Sequence, residues 1–448
     1  MDNKNKELSG KLDLLSKNYK IINKNYLCHL NNVIGSGTFG KVLYCSTMDS
    51  KNEYAIKFEK SNVKSSVIEI EYEIYQSLAG GVGIPNIVWT GEYKKYKLMI
   101  MDLLGPSLDK FFIFCNKRFY YLTASLIGIE MIKRVQYMHS KGFLHRDIKP
   151  NNFMLGTFSK ELNAVNDKTV YIIDFGLSKE YVDLDTCEHL PFKEGRRFIG
   201  TPRYASIGTH LGYRQSRRDD LESIAYILIY FVLGELPWQG IKAKSKSEKK
   251  EKILEMKLKT DFSKDKRIPK EFLAFLEYCK DLRYEDKPDY KFICKLIQKI
   301  VNSYDDKGEY DQSKHIWEWN YKMLSALESP SEYKTQNDAF NKLFDGYPIS
   351  SFDNYLKKLT ELTQLSNSNR LPSSSSTTSN TNPNTMNNYG KEKECREDST
   401  NDLFNNINLN SEDKKEIDIS KNSNTNDINR TKNTNQTSSI KKNFYNYK

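Results

Sequence analysis

The sequence predicts an α+β fold of two lobes, a small β-rich lobe followed by a larger helical one, and three observations carry that expectation. Val42, Tyr44 and the run Tyr54-Ala55-Ile56-Lys57-Phe58 have the β-branched and aromatic content of strands that pack in a sheet. After Leu104-Gly105-Pro106 the pattern turns mostly helical, and the apolar run 224–233 suits a buried core helix. Within that helical half, strand patterns at 153–155 and 170–173 bracket a loop, 156–169, read as a surface insertion. Strands first and helices afterwards segregate as an α+β arrangement.

The elements follow in order. Residues 1–25 are polar and lysine-rich and read as a loosely ordered arm. Residues 26–321 are globular in composition, with the small lobe over about 26–101 and the large one over about 105–321. Residues 67–78 place Val67, Ile70, Ile74 and Leu78 at helical spacing, which predicts a helix with those side chains inward. An extension, 322–365, reads as partly helical, because Phe352, Tyr355, Leu356, Leu359 and Leu362 follow Ser351 as N-cap in an amphipathic pattern. Asn, Ser, Thr and Lys dominate 366–448; so little apolar area cannot offset ordering entropy, and disorder is expected.

Composition narrows the function classes. The chain of 448 residues has 69 Lys+Arg against 58 Asp+Glu, a formal charge of +11, which favours acidic or phosphorylated partners. Seven cysteines without a CxxC pair fit reduced thiols better than a disulfide framework or a zinc site. The polar N-terminus shows no signal-peptide core, Asp2 stands where myristoylation needs glycine, and no prenylation box ends the chain. The run 224–233 is too short to span a bilayer, so no membrane association is expected, and the address read is cytoplasm or nucleus. No recognition helix, zinc finger or aromatic RNA-binding motif points to a specific nucleic acid. A monomer is the default expectation.

Gly35-Ser36-Gly37-Thr38-Phe39-Gly40-Lys41-Val42 fits GxGxxGxV. Its glycines allow a tight strand turn that brings backbone N–H groups against phosphate. It is not a P-loop, and strand rather than helix pattern follows it, which argues against a dinucleotide fingerprint. Lys57 lies among apolar strand residues, where a charge is costly unless paired, and Glu71 on the next helix can supply the opposite charge. Further on stand His145-Arg146-Asp147-Ile148-Lys149-Pro150-Asn151-Asn152 and Asp174-Phe175-Gly176.

Each motif alone is weak; their joint order and spacing resemble the eukaryotic protein kinase superfamily. The resemblance implies a bilobal kinase fold, ATP and magnesium (Mg2+) as cofactors, and a role for each motif residue. Lys57, held by Glu71, would contact the α and β phosphates; Asp147 would accept the substrate hydroxyl proton; Lys149 would neutralise charge on the γ-phosphoryl group; Asn152 and Asp174 would hold magnesium. Retention of Lys57, Asp147, Asn152 and Asp174 disfavours the alternative reading, a pseudokinase or scaffold that only binds partners.

Longer strings are similar to the casein kinase 1 family across about 26–321. They are Gly80-Gly81-Val82-Gly83-Ile84-Pro85, Leu103-Leu104-Gly105-Pro106-Ser107-Leu108, Gln215-Ser216-Arg217-Arg218-Asp219-Asp220-Leu221-Glu222-Ser223, Leu236-Pro237-Trp238-Gln239-Gly240 and Asp286-Lys287-Pro288-Asp289-Tyr290. Ala205-Ser206-Ile207, where other kinases have Ala-Pro-Glu, fits the same family. This likeness implies a serine/threonine kinase that prefers protein substrates phosphorylated or acidic upstream of the target. It makes Met101 the gatekeeper and Asp102, Leu103 and Leu104 the hinge that pairs with adenine, with Ile34, Gly35, Ser36, Gly37, Thr38, Phe39, Gly40, Val42 and Ala55 around the nucleotide. Asp220 would brace the catalytic loop, and Thr201 would contact Asp147 and Lys149. Lys193 and Lys249, assisted by Arg196 and Arg203, match the family's pocket for an upstream anion. Asn151, Pro202 and Gly208 depart from the family's usual residues, and Pro202 fixes a backbone angle in the substrate cleft. The segment 174–206 has no obvious phosphorylation switch, which implies constitutive activity.

Overall fold

The computed structural model describes residues 18–37, 40–60, 66–156, 169–306, 317–328, 341–348, 353 and 355–357. Thr38, Phe39, the insertion over 157–168, most of the expected helix 351–365 and all of 366–448 lie outside them.

Six antiparallel strands form the first lobe: β1 (Tyr19–Ile22), β2 (Tyr26–Gly37), β3 (Gly40–Thr47), β4 (Glu53–Lys60), β5 (Ile87–Tyr93) and β6 (Tyr96–Asp102), in the order β1-β2-β3-β4-β6-β5. The sheet begins earlier than the sequence suggested, because β1 falls inside the stretch read as an arm. β1 pairs Tyr19 with His29 and Ile22 with Tyr26. It alternates too few apolar side chains to announce itself, yet Ile22 is fully buried against Cys28, Cys45 and Ile56.

Helix α1 (Val67–Ser77) crosses this sheet. Ser66 caps it by accepting from the Glu69 amide, and the Glu59 carboxylate accepts from Ser66 Oγ at 2.7 Å and from the Val67 amide at 3.0 Å. A carboxylate at the N-terminus satisfies free donors and complements the helix dipole. The buried face matches the expected one only in part: Ile74 and Leu78 are buried as expected, Ile68, Glu71 and Tyr75 join them, and Ile70 is 41% exposed. A glutamate in the buried stripe hides that stripe from any reading of apolar periodicity.

The second lobe is helical: α2 (Leu108–Phe114), α3 (Tyr121–Ser140), α4 (Ile207–His210), α5 (Arg217–Leu233), α6 (Lys246–Lys259), α7 (Lys270–Asp281), α8 (Tyr290–Asp305) and α9 (Glu318–Glu328). Helix α5 is buried on every side from Asp219 to Val232 and packs on α3 and α7, as a helix apolar all round must. Two short antiparallel strand pairs accompany these helices: β7 (Phe143–Leu144) pairs with β10 (Lys179–Glu180), and β8 (Phe153–Leu155) with β9 (Val170–Ile172). The loop 145–152 lies between β7 and β8, and β9 leads directly into Asp174. Among the described residues no helix is long and apolar enough to cross a membrane.

Candidate active site

The site starts at the β2–β3 turn, where Gly35 pairs with Val42 and Gly37 with Gly40. Gly40 has φ 146°, and a Cβ there would stand 1.9 Å from the Phe58 carbonyl, so no larger residue fits this approach to β4. The next strands bring the lysine and the pocket wall into register: Val42 lies opposite Lys57, Lys57 opposite Met99, and Ala55 opposite Met101. Met101, Leu103 and Leu104 are buried where β6 leaves the sheet.

Lys57 ties the lobes together. Its Nζ donates to Glu71 Oε2 at 2.6 Å and to Asp174 Oδ1 at 3.0 Å. Burial alone would pull this ammonium down, but the two carboxylates outweigh it and hold the group above the usual lysine range. At Asp174 burial opposes ionisation, and the Lys57 charge and hydrogen bond overcome it, so the carboxyl stays below the usual range. Burial wins at Glu71 and raises it against the pull of Lys57. Tyr75, one turn beyond Glu71, receives the Asp174 amide on its hydroxyl at 3.4 Å and lays its ring 4.6 Å from that of Phe175. Sequence reading missed Tyr75; its i+4 spacing from Glu71 was the available signal.

The loop 145–152 is fixed from beneath. Asp220, at the start of α5, accepts from the His145 amide at 2.8 Å, the Arg146 amide at 2.9 Å and the His139 ring at 3.0 Å. Burial works against its charge, but these bonds prevail and keep it low. Arg146 is thereby held at φ 67°. On the upper side Asp147 accepts from Thr201 Oγ1 at 2.7 Å and from Lys149 Nζ at 2.5 Å. Asn152 donates its amide nitrogen to the Asp147 carbonyl at 3.0 Å, which commits its nitrogen and leaves Oδ1 as the atom that could ligate a cation. Asn152, just before β8, and Asp174, just after β9, thus offer hard oxygen donors at the same end of that strand pair, a set that suits a magnesium ion.

Beside Asp147 the segment 201–205 is suspended by its carbonyls. His210 donates to Pro202 O at 3.2 Å, Trp238 Nε1 to Arg203 O at 2.7 Å, and Lys257 Nζ to Ala205 O. Lys257 is fully surrounded, with its ammonium over the rings of Tyr226 and Trp238 at 4.7 and 5.0 Å. These three tethers hold the substrate-facing loop around Pro202 in one shape.

The four basic residues expected around an upstream anion differ in exposure and in the partners they engage. Lys193, Arg196 and Lys249 are exposed. The Lys193 carbonyl accepts from the Arg214 amide and the Arg196 amide donates to Gly212 O, both at 2.8 Å. Arg203 is engaged elsewhere, donating to the Tyr204 hydroxyl at 3.3 Å with its guanidinium over the Tyr204 and Tyr230 rings. Lys250, passed over in the sequence, lies 4.5 Å from the Phe198 ring. It is the lysine that α6 turns toward the segment 193–201.

A glycine turn over a strand lysine, a lysine–glutamate–aspartate junction between lobes and a carboxylate held beside a lysine define a nucleotide-dependent phosphotransferase of two lobes. The family model described as the protein kinase domain matches residues 28–297. The chain belongs to the protein kinase family, whose members use ATP with a divalent metal and act on proteins.

Proposed function

We propose that the chain is an active serine/threonine kinase of casein kinase 1 type that prefers substrates carrying a phosphate or carboxylate upstream of the target. The observation that carries activity is the completed junction of Lys57 with Glu71 and Asp174, together with Asp147 held between Thr201 and Lys149. Asp147 accepts the hydroxyl proton and aims the oxygen; Lys149 moves from it toward the γ-phosphoryl group as charge builds there. Lys57 places the α and β phosphates, and the turn 35–42 covers them. The hinge 102–104 receives adenine, with Met101 as gatekeeper. Asp174 and Asn152 would hold magnesium, which would supply positive charge against the phosphates.

The casein kinase 1 assignment rests on the sequence strings 80–85, 103–108, 215–223, 236–240 and 286–290. Support for the substrate preference comes from the exposed cations Lys193, Arg196 and Lys249. Each charge-assisted bond to a phosphate is worth about 1.5–3 kcal/mol. Three peptides identical except for phosphoserine, aspartate or alanine three residues before the target serine test this. Transfer should rank in that order, with phosphoserine ahead of alanine by roughly tenfold or more. Equal rates on the three would remove the anion pocket and leave the kinase standing.

A further inference from the structure

Beyond the kinase domain match the chain returns to the nucleotide cleft. Residues 341–348 include Leu343, Phe344 and Tyr347, all buried. Tyr347 donates its hydroxyl to the Leu104 carbonyl at 2.9 Å, in the hinge itself. Its neighbour Gly346 has φ 85° and lies so close to β2 that a Cβ there would stand 2.1 Å from Val33 O and 2.8 Å from the Ile34 nitrogen. The β2–β3 register shifts between Val33 and Gly35, at that same point. Two consecutive residues therefore touch both edges of the adenine slot, hinge and roof.

The segment is anchored in the helical lobe. Lys110 of α2 donates to the Asp345 carbonyl at 3.4 Å and holds its ammonium 5.6 Å from the Tyr347 ring centre. The Tyr355 hydroxyl bonds Asn320 Oδ1, itself fully buried at the start of α9, and Phe344 packs its ring 6.2 Å from that of Tyr355. Trp319 stacks on Phe111 of α2 at 4.6 Å. The anchor is in one lobe and Gly346 reaches the other.

We propose that residues 343–347 form a strap that sets the width of the adenine slot, with Tyr347 and Gly346 as positioning residues for the nucleotide. The inference rests on reading 101–104 as the hinge. A slot fixed before ATP arrives spares the ordering cost of fixing it on binding. The strap's polar and backbone contacts run to Leu104, to Val33 and Ile34 and to Lys110, so it acts on nucleotide affinity and leaves peptide binding alone.

Tyr347→Phe and Gly346→Ala in the full chain test it, by KM for ATP, KM for peptide and kcat, with displacement of a fluorescent ADP analogue as direct binding. Tyr347→Phe loses one hydrogen bond and should raise the ATP KM and the ADP Kd by roughly 2- to 10-fold. Gly346→Ala adds a strained φ and a clash with backbone, and should exceed that, on the order of tenfold or more. Peptide KM should stay within error and kcat should change less than the ATP KM. A merely structural loss would lower active fraction and kcat with both KM values intact, and that result overturns the strap. Tighter nucleotide binding in the variants also overturns it, since the segment would then obstruct the slot. Wild-type protein that binds no ADP analogue would sink the hinge reading and the strap together; wild-type binding with unchanged variants sinks the strap alone.

Discussion

Asp147→Asn is expected to slow phosphoryl transfer by about 10²–10⁴-fold while ATP affinity stays within about threefold of wild type. The amide matches the carboxylate in shape and can still accept from Thr201 Oγ1, now 2.7 Å from Asp147 Oδ1. It cannot take up a proton, and it gives Lys149 no counter-charge. Lys149 is 23% exposed at its side chain, so water can solvate the ammonium released. The loop itself should keep its shape, since Asp220 holds it through the His145 and Arg146 amides and not through Asp147. Steady-state rates with a peptide substrate, alongside nucleotide binding, check both halves. A variant with near wild-type kcat would mean that another group handles the proton.

The second large effect lies at the junction between lobes. Lys57→Met should cost about 10²–10³-fold in transfer, the usual loss of one preorganised electrostatic contact. It should also destabilise the fold by about 3–5 kcal/mol, because a buried charge loses its partner. Glu71 is 1% exposed at its side chain and would be left with no cation, and Asp174 would lose its main source of stabilisation. The remedy separates the two effects. Lys57→Met combined with Glu71→Gln removes the stranded charge and should recover much of the stability but none of the activity. Chemical denaturation of wild type, single and double variants, with rates measured in parallel, decides it. A double variant no more stable than the single one would show that Lys57 contributes by packing and not by charge.

The sheet of the first lobe was legible where β-branched and aromatic residues gather, as in β4 around Lys57, and α5 was legible through its apolar run 224–233. The face of α1 was not, since its buried stripe contains Glu71, and a charge inside an apolar pattern counts against the pattern. That residue is buried because Lys57 meets it from β4, a fact of tertiary structure. The same limit applies to β1, whose partner strand supplies its reason to form, and to Tyr347, whose hydroxyl finds Leu104 across 243 positions of sequence. The candidate catalytic residues were readable for the opposite cause. They are grouped in short runs, 145–152 and 174–176, in which each residue is chosen by chemistry. The basic residues sit between these cases: charge marked the region, while helix phase, turning Lys250 inward beside Lys249, could be seen only in three dimensions.

The central claim is that this site moves the γ-phosphoryl group of ATP onto serine and threonine hydroxyls. Single-turnover transfer with excess enzyme, magnesium and labelled ATP tests it most directly, on three peptides that differ only in a target serine, threonine or tyrosine and share an upstream phosphoserine. The account predicts label on the serine and threonine peptides and none above background on tyrosine, with Asp147→Asn protein inactive on all three. Bound ATP with no label on any peptide or on the protein itself would contradict it, and would make the chain a kinase fold that binds without catalysing.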